Sequence, residues 1–378
     1  MSRSIRLVPP TSGDSADHAE LRRSVRRFLA EQRAAGSYTP SVDCWLTSWD
    51  EDFTRALAAQ GWLGMTVPAQ YGGHERSFVE RFVVTEELLA GGAPVAAHWI
   101  ADRQIVPSLL KYGTAEQKQR YLPGIARGET YFGIGMSEPD SGSDLASVRT
   151  TATKVDGGWQ VSGAKVWTSG AHRAHAFIAL VRTSPVDPAD RHAGLSQLLV
   201  DLDSPGVQIR PIISMNGAHH FNEVVLGDVF VPDAQLFGKL GQGWTQVTSE
   251  LGFERSGPER FLSTFPLLAQ LTAVDEGPEL GRLVGRIAGL RQMSAAVAGA
   301  LERGEPADLA AAVVKVLGTS TEGDIVEAAA LSTGDEAPVA DQWQDLVDAG
   351  LDQRPGFTLR GGTNEILRGV IARGLGLR

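Results

Sequence analysis

Only one cysteine, Cys44, occurs in 378 residues. No internal disulfide can form, which fits a reducing compartment. A lone thiol of this kind reads as a structural side chain rather than a nucleophile. Long apolar runs are also missing. The opening residues contain no apolar core of signal-peptide length, and no stretch approaches the uncharged run of a membrane-crossing helix. These absences predict a soluble cytoplasmic protein with no membrane insertion. Positive charge is in deficit, with 35 Lys and Arg against 45 Asp and Glu and a net charge of −10. Nonspecific nucleic-acid binding is therefore not expected. No internal repeat or low-complexity tract is present. At 42% hydrophobic and 21% charged residues, the composition is that of an ordinary globular protein. The length allows two or three domains or one large multilayered fold.

Periodicity divides the chain in three. Residues 1 to about 14 are polar and read as loose. From Ala16 to Ala35 the apolar residues Leu21, Val25, Phe28 and Leu29 recur at helical spacing. Trp49, Phe53 and Leu57 continue that pattern up to Gly61, and Phe78, Phe82 and Leu89 mark a further helix. Thr114-Ala115-Glu116-Gln117 is a capping box. Near Tyr131 the pattern changes. Tyr131 to Met136, Thr150 to Val155, Trp159 to Trp167, Ala174 to Arg182, Leu195 to Leu202 and Phe221 to Val231 read as strands broken by turns. They predict a six- to eight-stranded antiparallel barrel or folded sheet. Beyond Gly243, Leu283, Ile287, Leu290, Val297 and Leu301 form one apolar helical stripe, and Leu309, Val313 and Leu317 begin another. The expected class is α+β: an N-terminal helical domain (15–130), a middle β-barrel-like domain (131–236) and a C-terminal helical bundle (237–378).

Two runs stand out chemically. Gly135-Met136-Ser137-Glu138-Pro139-Asp140-Ser141-Gly142-Ser143-Asp144 takes a strand into a tight turn. Such turns aim N–H groups and small hydroxyls outward together, which suits an anionic or amide-rich ligand. Trp167-Thr168-Ser169 ends another strand with an indole that can cover an aromatic ring and hydroxyls that can bond to it. Both runs resemble the flavin signature of the acyl-CoA dehydrogenases. Gly61-Trp62-Leu63-Gly64 with Val67-Pro68 and Tyr71-Gly72-Gly73, Tyr112-Gly113-Thr114 to Tyr121-Leu122-Pro123, Phe221-Asn222-Glu223-Val224 to Val231-Pro232, and Gly361-Gly362-Thr363-Asn364-Glu365-Ile366 resemble further segments of that family in the same order. The similarity spans roughly residues 20 to 378.

The resemblance implies FAD and removal of two hydrogens from an acyl-CoA, an oxidation of a CH–CH bond. It assigns flavin contacts to Ile134, Met136, Ser137, Gly142, Ser143, Trp167, Thr168 and Ser169, with Ser169 near the flavin N5, and to Thr363 and Glu365 of the last loop. Ser143 and Arg255 match positions on the CoA thioester arm. The base occupies one of two positions in the family. One falls on Gly361, which has no side chain. The other, the Glu of a Glu-Arg pair in isovaleryl-CoA-dehydrogenase-like members, falls on Glu254, which is therefore expected to be the base. The bland alternative is a solvated helix face or an ion pair with Arg255 or Arg260; Glu259 is the reserve. Gly361 could offer its N–H to the thioester oxygen, or simply be a turn glycine before Thr363, the N-cap of the last helix. Gly361 and the small residues Gly91, Gly92 and Ala93 suggest room for a bulky acyl group.

Other candidates fail. Adjacent His219 and His220 point to opposite strand faces and have no accompanying ligand cluster, so no metal is expected. Gly238 to Gly243 lacks a dinucleotide-binding spacing. Two family features are absent. Gly277-Pro278-Glu279-Leu280-Gly281 stands where members carry Arg-x-x-Phe-Gly, and residues 331 to 356 contain no Gln-x-x-Gly-Gly-x-Gly run. Both features hold the ADP half of a neighbouring subunit's FAD. The resemblance thus leaves open a homodimeric or homotetrameric dehydrogenase that holds the ADP differently, a heterotetramer with a second acyl-CoA dehydrogenase subunit, or a flavin monooxygenase on the same fold. A flavin-free structural subunit is a weaker possibility. An electron-transfer flavoprotein is the implied acceptor.

Overall fold

The computed structural model describes residues 9, 15–255, 257–273, 277–332 and 342–377, without the side chains of 250–254. The polar segment expected to be loose, 1 to about 14, lies outside these residues apart from Pro9. The first helices are α1 (Ala16–Ala34), α2 (Cys44–Thr47), α3 (Glu51–Ala59), α4 (Phe78–Ala90), α5 (Ala96–Ile100), α6 (Val106–Tyr112) and α7 (Ala115–Ala126). Strands follow: β1 (Phe132–Gly135), β2 (Thr151–Val155), β3 (Gly158–Ser169), β4 (Ala176–Arg182), β5 (Leu195–Asp201), β6 (Val207–Ile213), β7 (His219–Pro232) and β8 (Leu236–Phe237). The chain then returns to helix in α8 (Gly243–Arg255), α9 (Phe265–Leu271), α10 (Pro278–Glu302), α11 (Asp308–Leu331), α12 (Trp343–Phe357) and α13 (Asn364–Gly374).

Contacts gather these elements into two compact units, one of residues 1–53, 76–96 and 251–378 and one of residues 54–75 and 97–250. The first is helical. The carboxylate of Glu86 on α4 meets Arg22 of α1 and Arg291 of α10, each at 2.6 Å, and neighbouring Glu87 meets Arg26 at 2.7 Å. Ser77 opens α4 as half of a reciprocal capping box with Glu80. On α10, Leu283, Ile287, Leu290 and Val297 are buried as the stripe predicts. On α11 the expected stripe is not the inward face. Leu317 is 48% exposed, while Ala311, Val314, Lys315 and Gly318 turn inward. Gly91 lines a cavity with Leu29, Tyr38 and Ala90, whereas Gly92 packs against backbone. A Cβ on Gly92 would lie 2.8 Å from the Ser41 nitrogen, and one on Gly91 3.0 Å from Leu29. Absence of a side chain at 92 serves close backbone packing.

The second unit is built on an eight-stranded sheet of order β6-β7-β3-β2-β4-β5-β8, with β1 joined to β4. Most pairings are antiparallel, but β1 lies parallel to β4 in the register Phe132 with Ala176 to Gly135 with Ala179. Edge strands β6 and β8 do not pair with each other, so the sheet is open. Every residue of β4 is buried because both of its faces are covered. Phe177, Ala179 and Val181 join Trp159, Val161, Val200 and Val224 on one side. Ala176 and Ile178 join Leu109, Leu122, Ile125 and Phe132 on the other, under α6 and α7. Thr114 caps α7 with both capping-box bonds formed, and the Gln117 side chain also donates to the Ala234 and Leu236 carbonyls.

Candidate active site

The first motif is built around a buried ion pair. Strand β1 delivers Met136 and Ser137 to a turn closed by reciprocal backbone bonds between Glu138 and Ser141. The Glu138 side chain faces inward and accepts from Lys165 Nζ at 2.7 Å and from the N–H groups of Arg149 (2.6 Å) and Thr150 (2.9 Å). Lys165 is fully enclosed on β3 and also reaches the Met136 carbonyl. Burial alone would raise the Glu138 pKa; the Lys165 charge and these hydrogen bonds outweigh it and hold the carboxyl below its ordinary range. Burial pushes Lys165 down to about 8 against the pull of Glu138. Both groups are thus charged at neutral pH. The Val166 N–H donates to the Ser137 carbonyl at 2.9 Å, so the strand bearing the second motif is tied directly to the first. A Cβ on Gly135 would lie 2.3 Å from the Phe177 ring, which fixes glycine at this point of β1. The sequence offers Glu138 as a motif letter and Lys165 as an ordinary strand lysine; their partnership is visible only in the fold.

Strand β3 then bulges. Lys165 pairs with Val224 and Thr168 with Asn222, so Val166 and Trp167 face the single residue Glu223. Trp167 adopts φ 61°, a left-handed conformation rare for a bulky residue. Its ring is 58% exposed and stands edge-on to Phe221 at 5.6 Å. Ser169 is half-buried, whereas the Thr168 side chain is buried with its hydroxyl unpartnered. Ile134, Met136 and Ser137 are half-buried; Gly142 and Ser143 are exposed. The exposed Trp167 indole, the Ser169 hydroxyl next to it on β3 and the Ser137 and Ser143 hydroxyls of the turn after β1 are groups suited to a flat, carbonyl-rich ring and a phosphate. These residues fit a flavin.

The helical unit supplies the remaining candidates. Glu254 lies in the last turn of α8, and its side chain is outside the described residues. Arg255, one residue on, donates from Nε to the Gly361 carbonyl at 2.9 Å. The Glu-Arg end of α8 and the glycine at the alternative base position are therefore in direct contact. Gly361 and Gly362 both adopt left-handed φ values, 68° and 86°. Thr363 caps α13 by accepting from the Ile366 N–H, as expected. Glu365 is exposed, its carboxyl held low by hydrogen bonds to its own backbone and to Thr363. The loop is anchored by Lys315, fully buried on α11, whose Nζ donates to the Thr358 carbonyl and Asn364 Oδ1 at 2.9 and 2.8 Å. Glu259, the reserve base, sits buried in a short 3₁₀ turn beside Arg260, off the helix that carries Glu254.

Comparison with known proteins agrees with this layout. Family models described as acyl-CoA dehydrogenase N-terminal, middle and C-terminal domains match residues 15–129, 133–229 and 277–376. Acyl-CoA dehydrogenase IpdE1 of Mycobacterium tuberculosis is 35% identical over 384 positions, covering 96% of this chain and 98% of IpdE1. Acyl-CoA dehydrogenase FadE34 of the same organism is 42% identical over 204 residues, which is 53% of this chain but only 28% of FadE34. Among solved structures, the Tcur3481-Tcur3483 steroid ACAD superposes with a TM-score of 0.80 at 28% identity, covering 99% and 100% of the two chains. The ChsE4-ChsE5 complex of Mycobacterium tuberculosis gives 0.77 at 29% identity, covering 97% and 99%. The order of motifs, the open sheet between helical segments and these matches have one explanation: the chain belongs to the acyl-CoA dehydrogenase family, oxidoreductases of CH–CH bonds.

Proposed function

We propose that this chain oxidises an acyl-CoA thioester to its 2-enoyl-CoA with FAD, Glu254 acting as base. The observation that carries this reading is the Arg255 Nε to Gly361 carbonyl bond, which joins the helix end bearing Glu254 to the loop whose own base position is vacant. Bound flavin supplies a hydride acceptor at N5. Ile134, Met136, Ser137, Gly142, Ser143, Trp167 and Ser169 would hold it from the sheet unit; Thr363 and Glu365 are the contacts that the resemblance assigns to the last loop. Arg255 and the Gly361 N–H, joined in the helical unit, would orient the thioester and stabilise negative charge on its carbonyl oxygen as the α-proton leaves; Ser143 is the contact to the thioester arm that the resemblance gives the sheet unit. That proton passes to the Glu254 carboxylate, and the β-hydrogen departs with its electron pair, leaving the α,β double bond. The likeness to the Tcur3481-Tcur3483 steroid ACAD supports a bulky, ring-bearing acyl group. A cytoplasmic electron-transfer flavoprotein completes turnover. In Glu254→Gln, flavin content should match wild type while anaerobic bleaching by acyl-CoA slows by roughly 10²–10⁴-fold. Normal bleaching would put the base elsewhere.

A heteromeric form is the second reading. Helix α10 begins Gly277-Pro278-Glu279, and the Glu279 carboxylate engages Arg282. Among the described residues the first cation of this helix is Arg282, five positions past the family's arginine and already paired with Glu279. Two solved relatives are named as pairs of chains, Tcur3481-Tcur3483 and ChsE4-ChsE5. A chain purified alone and colourless, but yellow after co-expression with a second subunit, would select this form over the homo-oligomer. A monooxygenase reading would require flavin reduction without an acyl-CoA.

A further inference from the structure

Behind the Trp167 bulge the sheet's backbone ladder is interrupted, and a side chain takes over. Asn222 on β7 is fully buried opposite Thr168. Its Nδ2 donates to the Thr168 carbonyl at 3.0 Å and lies 3.1 Å from His172 Nδ1; its Oδ1 lies 2.8 Å from His219 Nε2. A carbonyl oxygen can only accept, so the amide nitrogen must face Thr168 and the orientation of Asn222 is fixed. His172 Nδ1 must then accept and His219 Nε2 must donate. The two imidazoles stack at 4.1 Å across the same amide. Both ends of the Asn222 side chain are engaged. The element it holds is the one place on β3 where a bulky residue occupies a left-handed conformation, which the surrounding structure must enforce.

We propose that Asn222, braced by His172 and His219, is a positioning residue that locks the Trp167 bulge and so sets the pose of the indole and the Ser169 hydroxyl toward the flavin. This rests on the flavin role of Trp167 proposed above. The brace works only while His172 Nδ1 carries a lone pair. A protonated His172 would present N–H to N–H and push Asn222 off the Thr168 carbonyl. Burial, the stacked His219 on β7 and Arg173 in the same turn all disfavour that proton and hold the His172 pKa below the usual histidine value.

The experiment uses the full chain stripped of flavin. Hydrogen exchange across residues 163–171 reads the bulge without flavin, and FAD titration reads its consequence. Asn222→Ala should exchange about tenfold faster in this segment and bind FAD about tenfold more weakly. Wild type should bind FAD more weakly on acidification; His172→Asn, which places an amide oxygen where Nδ1 stood, should keep wild-type affinity at neutral pH and lose that weakening. If Asn222→Ala does not fold, Asn222→Asp, which sets a carboxylate oxygen against the Thr168 carbonyl, should loosen the segment at pH 8 and tighten it as the carboxyl is protonated. Unchanged exchange overturns the brace. Faster exchange with unchanged FAD affinity overturns the positioning role. Equal FAD binding by wild type and Trp167→Ala would instead sink the flavin role of Trp167, while the exchange comparison still decides whether Asn222 holds the bulge.

Discussion

Lys165 carries its charge into the sheet against one carboxylate, Glu138. Replacing it with Met strands that carboxylate without its cation, and Lys165→Met should lose about 3–5 kcal/mol in denaturant unfolding. Adding Glu138→Gln should restore part of the loss, because the two residues share one interaction. The folded-state pKa of Glu138 is lowered, so its stabilising share is complete above the ordinary value of 4.5 and drains as pH falls through the lower folded value. Glu322 on α11 runs the other way. Burial in the helical unit, helped by the charge of Asp43, pushes it up to about 8 against the hydrogen bond it accepts from the Ser263 N–H. The folded form then keeps a proton that the unfolded chain releases above 4.5, so stability falls as pH rises from 4.5 to 8. Glu322→Gln should flatten that slope and exceed wild type at pH 8 by about 1–3 kcal/mol, measured by unfolding at pH 5 and pH 8. Sequence discloses the letters of these residues but not their roles. Glu138 belongs to a turn motif that suggests ligand contact, and its carboxylate is spent on Lys165 and two backbone donors. The same motif leaves Ser137 and Ser143 where a ligand could meet them. Thr168, assigned to the flavin with its neighbours, has its side chain in the core, because the bulge at Val166 and Trp167 turns it to the same side as the buried Lys165.

Elements were legible where one periodicity dominates. Helix α1 follows its apolar spacing, and β2, β3, β5 and β7 lie within two residues of the runs that announce them. Strand β6 has no such run; its residues alternate between half-buried and exposed on a sheet edge, and Pro211 sits among them. The parallel pairing of β1 with β4 depends on contacts far apart in sequence, so local pattern cannot supply it. The α11 stripe misled for a related reason. Alanines and a lysine, not leucines, fill the tight inner face of that helix. Such closeness gives an element-scale prediction. Gly135→Ala forces a methyl into the Phe177 ring and should cost about 1–3 kcal/mol in thermal or denaturant unfolding, with weaker FAD binding because β1 leads directly into Met136 and Ser137. At the start of α4, Ser77→Ala removes the capping oxygen from the Glu80 N–H and should lose about 1 kcal/mol by the same assay.

For the molecule as a whole, the single thiol is a useful reporter. Cys44 is 1% exposed in the helical unit, and burial drives its pKa well above the ordinary thiol range. An aromatic disulfide reagent should leave the native protein untouched and titrate one thiol per chain in denaturant, with labelling rising in step with loss of helical signal. Labelling that runs ahead of that loss would mean the α2 region opens by itself. Helices from both ends of the chain share that unit, a grouping that no local signal encodes. The tie between Arg255 and Gly361 joins two stretches 106 residues apart. Its consequence concerns how the family's catalytic acid could change address. An acid grafted at 361 would arrive beside a guanidinium already leaning on that residue's carbonyl, at a backbone angle that disfavours any side chain. The new group would be captured as an ion pair before it could serve as a base. On the proposed assignment of the base to Glu254, moving the acid to 361 would also have to release Arg255, so Gly361→Glu in a Glu254→Gln background should not restore flavin reduction by acyl-CoA.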